Sequence, residues 1–240
     1  MSRYFIELSY KGSAYSGFQI QDNANSIQAE IEKALHVFYR QRFELTGSSR
    51  TDAGVHASQN FFHFDTALII KDDAYNLNAI LPDDIVVKRI FKVDADAHCR
   101  FDALSREYHY YIYQHKNPFL QGRAYYIPYT IDIELLQQAA KEVLDYSDFT
   151  SFSKRNTQVN SFICNIYASE WIREGDCLVY KIKANRFLRG MVKGLVATML
   201  LTGRKKITLE EFKSILEAKD CTKADFSVPP DGLFLSKVEF

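Results

Sequence analysis

A chain of 240 residues, 47% of them hydrophobic, is long enough to bury a core as one large domain or two small ones. Aromatics reach 14%, with Tyr and Phe far outnumbering the single Trp, which excludes a disordered chain. Lys plus Arg number 30 and Asp plus Glu 30, so there is no global basic excess and any positive surface has to be local.

From residue 4 to residue 10 apolar and polar side chains alternate, as in a strand and unlike the unbroken apolar stretch of a signal peptide. Ile27, Ile31, Ala34, Leu35 and Phe38 then recur at helical spacing behind a cap at Asn25 or Ser26. Residues 43–48 and 57–65 read as extended, separated by a loop rich in Ser, Asp and Gly. A short helix over 73–81 stops before Pro82, and residues 85–93 are β-rich. The order is β-α-β-β-α-β, and the second half repeats it. Residues 106–114 form a tyrosine-rich strand and 133–144 an amphipathic helix. Strands at 161–172 and 178–184 are joined by Glu174-Gly175-Asp176. Helices follow at 186–202 and 209–219, the latter opened by the capping box Thr208-x-x-Glu211, and a strand over 233–240 closes the chain. This pattern predicts an α+β fold of two ferredoxin-like halves, 1–104 and 105–240. They would form a mainly antiparallel sheet with helices on one face and a cleft on the other.

The longest apolar candidate, 195–201, falls far short of the ~20 residues that cross a bilayer, so a soluble protein is expected. Four scattered cysteines (Cys99, Cys164, Cys177, Cys221) include no Cys-x-x-Cys pair, which argues against structural zinc and a disulfide framework and for a reducing cytoplasm. Residues 181–206 carry Lys181, Lys183, Arg186, Arg189, Lys193, Arg204, Lys205 and Lys206 with no acidic residue. Such a stretch is either a local phosphate-binding surface or a solvated face with acidic partners elsewhere in the fold.

Three segments carry candidate chemistry. The loop at 48–57 places Asp52 beside Arg50, with Gly54 allowing a sharp turn; read alone, Asp52 is better explained as a turn residue bonded to the backbone than as a catalytic group. In the strand that follows Phe101-Asp-Ala-Leu-Ser, Tyr108 and Tyr110 share one face and Tyr111 and Tyr113 the other; read alone, both pairs are better taken as core, the alternative being that one pair is a platform for an unstacked base. In the segment Lys183-Ala-Asn-Arg-Phe-Leu-Arg-Gly-Met-Val-Lys193, Arg189 and Lys193 stand four residues apart, on one face of the predicted helix, where either can pair with a carboxylate.

Together these segments resemble the signature blocks of the TruA-type tRNA pseudouridine synthase family: Arg50-Thr-Asp-Ala-Gly-Val-His56, Arg106-x-Tyr108-x-Tyr110, and Asn185-x-Phe-Leu-x-x-Met-Val192. Gly17-Phe-Gln-x-Gln21 with Ser26-Ile-Gln28, Leu81-Pro-Asp-Asp-Ile85 and Gly232-Leu-Phe-Leu235 agree, in the same order along the chain. The resemblance implies a cytoplasmic homodimer that binds tRNA and isomerises uridine to pseudouridine at tRNA positions 38, 39 and 40 without a cofactor. It implies Asp52 as catalytic carboxylate, acting at C1′ or on the C2′ proton. Arg50 would fill the space of the flipped nucleotide and Tyr108 would pack on the uracil. Lys193 would be the cation that pairs with Asp52, with Lys183 and Arg189 as further substrate contacts. Two positions depart from the pattern: Lys193-Gly194 replaces an arginine and asparagine, and Ser49 stands where glycine is common. The competing readings are an RNA-binding paralogue without activity and a small-molecule enzyme built around Asp52.

Overall fold

A computed structural model describes residues 1–155 and 159–240. It divides into two units, one of Met1–Leu104 with Phe234–Phe240, the other of Ser105–Leu233.

The first unit begins with strand β1 (Ser2–Tyr10), helix α1 (Ile27–Tyr39), the two-residue strand β2 (Thr46–Gly47), β3 (His56–Thr66), helix α2 (Ala74–Asn78) and β4 (Ile85–Val93). This is the predicted order, with β2 shorter than expected. β1 lies between β4 and β3 and is antiparallel to both. Ile27, Ile31, Ala34 and Leu35 make the buried stripe of α1, which starts at Ser26, whose Oγ accepts the Ala29 N–H at 3.2 Å. Tyr39 at the end of α1 meets Phe43, which stands edge-on to Phe64, and Phe64 stacks on Tyr4. That chain of rings fixes the helix over the sheet face bearing Tyr4, Ile6 and Phe62. The other face carries Phe5, Phe61 and Phe91.

The second unit contains β5 (Ser105–Tyr113), the short β6 (Tyr125–Tyr126), α3 (Ile133–Glu142), β7 (Ile166–Glu174), β8 (Cys177–Ala184), α4 (Met191–Gly203) and α5 (Leu209–Glu217). β8 lies antiparallel between β5 and β7, and the β7–β8 turn uses Gly175 at φ +55°. Ser169 Oγ donates to the Ala140 C=O at 2.7 Å, and the Trp171 N–H donates to Gln137 Oε1 at 3.0 Å. α3 therefore covers the face that holds Tyr110, Trp171 and Tyr180. The capping box of α5 is present, Thr208 to Glu211, as its spacing predicts.

The last strand, β9 (Leu233–Glu239), was counted with the second half by chain order, but the structure carries Phe234–Phe240 into the first unit. It pairs in parallel with β3 through His56 and Ala57, and the Val238 N–H donates to Gln59 Oε1 at 3.0 Å. Phe240 packs on Phe61 and Phe5 at ring separations of 5.1 and 5.5 Å. These contacts offer the strand backbone partners and an aromatic anchor that sequence order does not reveal. The four cysteines are free thiols. Among the described residues no helix is long and apolar enough to cross a membrane.

Candidate active site

The loop between β2 and β3 carries Arg50 and Asp52 and is fastened at nearly every other residue. The Ser48 N–H donates to the Phe61 C=O at 2.8 Å and the Ser49 N–H to Asn60 Oδ1 at 3.3 Å, while Asn60 Nδ2 returns a bond to the Ser49 C=O at 2.8 Å. Buried Thr51 is held at both ends: its hydroxyl lies 2.7 Å from the Tyr10 hydroxyl, and its C=O accepts the Phe18 N–H at 3.1 Å. The Gly54 N–H donates to the Tyr15 C=O at 3.3 Å, and the Val55 N–H closes a turn onto the Asp52 C=O at 3.2 Å. Fully buried His56 accepts the Gly12 N–H on Nδ1 at 3.0 Å and stacks on Phe234 at 4.5 Å. That acceptor role leaves the proton of the neutral ring on Nε2. With Ser49 and Thr51 buried, the alternating positions project: Arg50 is exposed and Asp52 half-buried.

The sequence blocks of this unit converge on that loop. Gly12 has no room for a side chain, since a Cβ there would lie 2.0 Å from the Val55 C=O oxygen. Gly17 holds φ +121° directly against Thr51, which brings the Phe18 N–H into reach of the loop. Ser26 and Ile27 start α1, and the Ile27 and Gln28 N–H groups tie back to Gly17 and Phe18. Tyr15, which receives Gly54, donates its hydroxyl to Asp84 Oδ1 at 2.6 Å, so Leu81-Pro-Asp-Asp-Ile85 braces the same turn from behind. Burial, and then the bond to Asp84, raise the Tyr15 phenol above its usual range, keeping it a donor at all ordinary pH. Phe234 and Leu235, from the closing block, pair with His56 and Ala57. Motifs scattered over more than 200 positions of sequence are one scaffold for a single loop.

In the second unit, Tyr108 is half-buried on β5 and stands edge-on to Phe187, ring centroids 5.0 Å apart at 82°. Its face-mate Tyr110 is wholly buried, with its hydroxyl on the Pro229 C=O at 2.7 Å. On the opposite face Tyr113 is buried and Tyr111 half-buried, so neither tyrosine pair is uniformly core or surface; position along the strand decides. Lys183 follows Ile182, the register partner of Tyr108, and so turns to the opposite face of the sheet from Tyr108. Glu107, His109 and Lys181 share that opposite face, with Glu107 Oε1 2.6 Å from His109 Nε2.

The predicted helix over 186–202 starts late. Gly190 takes φ +77° as the N-cap of α4, so Arg189 precedes the helix and does not share a helical face with Lys193. The positive φ breaks the helical path, which apolar periodicity alone does not show. Lys193 sits half-buried in the first turn of α4, where a cation opposes the helix dipole. Lys154, not singled out in the sequence, packs its side chain on Gly190, and its N–H donates to the Arg189 C=O at 3.0 Å. The cations of 181–206 do not form one surface. Lys181 pairs with Glu174 at 2.6 Å. Lys205 pairs with Asp132 at 3.1 Å and Arg204 lies 3.9 Å over the Tyr129 ring, both at the far end of α4 from Lys193.

The family model described as tRNA pseudouridine synthase matches residues 8–102 and 139–240. The chain belongs to the tRNA pseudouridine synthase family. Among relatives carrying the name tRNA pseudouridine synthase A, that of Parabacteroides distasonis is 44% identical over the whole of this chain and 96% of its own length. That of Bacteroides fragilis is 45% identical over the whole chain and 97% of its length, and that of Staphylococcus aureus 37% over 98% and 90%. Ser49, one departure from the family pattern, is buried, and among the described residues its hydroxyl finds no hydrogen-bond partner.

Proposed function

We propose that this protein isomerises uridine to pseudouridine in tRNA, with Asp52 as the catalytic carboxylate. The N1–C1′ bond of the uridine breaks, the base turns, and a C5–C1′ bond forms while the C5 proton leaves and N1 gains one. Substrate and product hold the same atoms and electrons, so the reaction asks for no redox partner or group donor. What it asks for is a carboxylate at the sugar, as nucleophile at C1′ or as base for the C2′ proton, and a base that leaves its stack.

The observation that carries this reading is the convergence of separated sequence blocks on one loop, which fixes backbone on both sides of Asp52 and leaves its side chain and that of Arg50 projecting. Pre-organised placement of that kind is what a single-carboxylate reaction requires. In the same reading Arg50 takes the place of the flipped nucleotide and Tyr108, oriented by Phe187, packs on the uracil. Lys193 holds the carboxylate ionised; a cation set against a helix dipole is placed for charge rather than for helix stability. Lys183 and Arg189 are assigned to the RNA backbone. Positions 38, 39 and 40 of the anticodon arm are the proposed targets, and a cytoplasmic homodimer the proposed working form; both follow from the resemblance of the sequence blocks.

The experiment is tritium release from tRNA transcripts labelled at uracil C5, with wild type and Asp52→Asn side by side. Release by wild type alone, with tRNA affinity kept by the variant, is the expected result. Comparable release by Asp52→Asn removes Asp52 from the mechanism, and no release by either protein overturns the enzymatic reading.

A further inference from the structure

Beside the Asp52 loop, wholly within the first unit, lies a cleft of about 140 Å³ whose walls include Gln19, Thr46, Arg50, His98, Arg100 and Phe101. That volume is well below a drug-sized site of roughly 300 Å³ or more and suits a phosphate or a single pyrimidine ring. Phe101 is 74% exposed, although most of the chain's large rings are covered. It is also held in place. His98 lies against it at a centroid distance of 4.2 Å and is itself backed by the His63 ring at 4.6 Å. His98 Nδ1 accepts the Arg100 and Phe101 N–H groups at 3.1 and 3.3 Å, and Asp102 Oδ2 accepts the His98 N–H at 2.6 Å, closing the turn that presents the ring. The Arg100 guanidinium stands 5.6 Å from the Phe101 centroid, and exposed Arg50 is on the same cleft.

A rigid, solvent-facing ring with guanidinium groups beside it, at a cleft too small for a whole ligand, is the arrangement that binds one unpaired nucleotide: the ring stacks a base and the cations take its phosphate. We propose that this cleft is a second nucleotide subsite, in which Phe101 stacks an unpaired base next to the target uridine while Arg100 holds the adjoining phosphate. This rests on the reading of the protein as a tRNA uridine isomerase and extends it: the enzyme reads a neighbour of its target as well as the target. Catalysis is not assigned to the subsite; Phe101 and Arg100 are positioning residues.

The test uses the full-length protein and an anticodon stem-loop transcript, measuring affinity and single-turnover isomerisation for wild type, Phe101→Ala and Phe101→Tyr. Because the ring is exposed, both variants fold. Phe101→Ala is expected to weaken binding about ten-fold, the loss of one stacked base, with the rate at saturating RNA nearly unchanged; Phe101→Tyr restores affinity. A transcript series with one abasic nucleotide per loop position then locates the stacked base. At one position the abasic change costs wild type the same ten-fold and costs Phe101→Ala nothing more. Unchanged affinity in Phe101→Ala, or a loss that adds to the abasic loss at every position, overturns the subsite. Absence of isomerisation by wild type instead overturns the underlying enzymatic reading, and the abasic series still decides whether Phe101 stacks a base.

Discussion

Replacing Tyr10 by Phe removes one oxygen and tests how the Asp52 loop is held. The Tyr10 hydroxyl is 2.7 Å from Thr51 Oγ1 and accepts from Asn60 Nδ2 at 3.2 Å, and all three residues are buried. Asn60 keeps its bond to the Ser49 C=O, so the main consequence is a Thr51 hydroxyl stranded one residue from Asp52. A buried polar group left without its partner costs about 1–3 kcal/mol, and about 2 kcal/mol is expected here. At this chain length that lowers Tm by roughly 4–8 °C. The effect on turnover should be larger, because a reacting group displaced by about 1 Å can lose a factor of about 100 in rate. Thr51→Val alone should cost less, about 1 kcal/mol, since the Tyr10 hydroxyl loses Thr51 but keeps the Asn60 amide. The double variant, in which both partners are apolar, should recover about 1 kcal/mol relative to the sum of the two. Urea unfolding and C5 tritium release on the four proteins measure both quantities. Additive losses, or a Tyr10→Phe variant with wild-type stability and rate, would refute the claim that this bond positions the loop.

His63 is buried with Nδ1 3.1 Å from Cys99 Sγ, and burial first, then the nearby His98 and Arg3 charges, depress its pKa from 6.5 to about 4. The unfolded chain then binds more protons between those values, so stability is complete above pH 6.5 and falls as pH drops toward 4. The difference between wild type and His63→Phe should narrow by about 3 kcal/mol over that window in urea titrations, and a pH-independent difference would show that His63 is not held neutral. Lys193→Arg should retain activity because the charge is preserved, whereas Lys193→Ala should lower the rate at saturating tRNA about 100-fold or more with little change in affinity. A folded but dead Lys193→Arg would mean that the surroundings are fitted to lysine. Ser49→Ala deletes a buried hydroxyl and should leave thermal stability unchanged or raised by about 1 kcal/mol; a marked drop would reveal a partner for that hydroxyl.

The first unit was largely legible in the sequence. Alternation in β1 and the helical stripe from Ile27 to Leu35 are read from one segment each, and both appear where expected. The loop carrying Asp52 was legible as a motif, but its reason was not: Tyr10, Asn60 and Asp84 reach it from strands and a turn that only tertiary structure brings near. In the second unit, periodicity placed α4 too early because it registers apolar spacing and is blind to the positive φ of Gly190. Counting cations in sequence overstated the basic surface for a related reason. Lys181 and Lys205 have acidic partners, Glu174 on the neighbouring strand and Asp132 some seventy positions earlier. Lys183 stands in one sequence segment with Arg189 and Lys193, whereas strand register turns it to the sheet face opposite Tyr108. Phe101 precedes the tyrosine-rich strand, and nothing in sequence marks a phenylalanine as exposed.

The return of the last seven residues to the first unit also bears on how the protein is made. His56 stacks on Phe234, and Phe240 seats itself among Phe5 and Phe61, so the earliest-synthesised part of the chain waits for the latest. During translation the Asp52 loop emerges early but lacks this brace until residues 234–240 have left the ribosome. A product terminated before residue 234 therefore carries every residue of the loop without the strand that steadies it, so the finished loop depends on chain made some 180 residues after it.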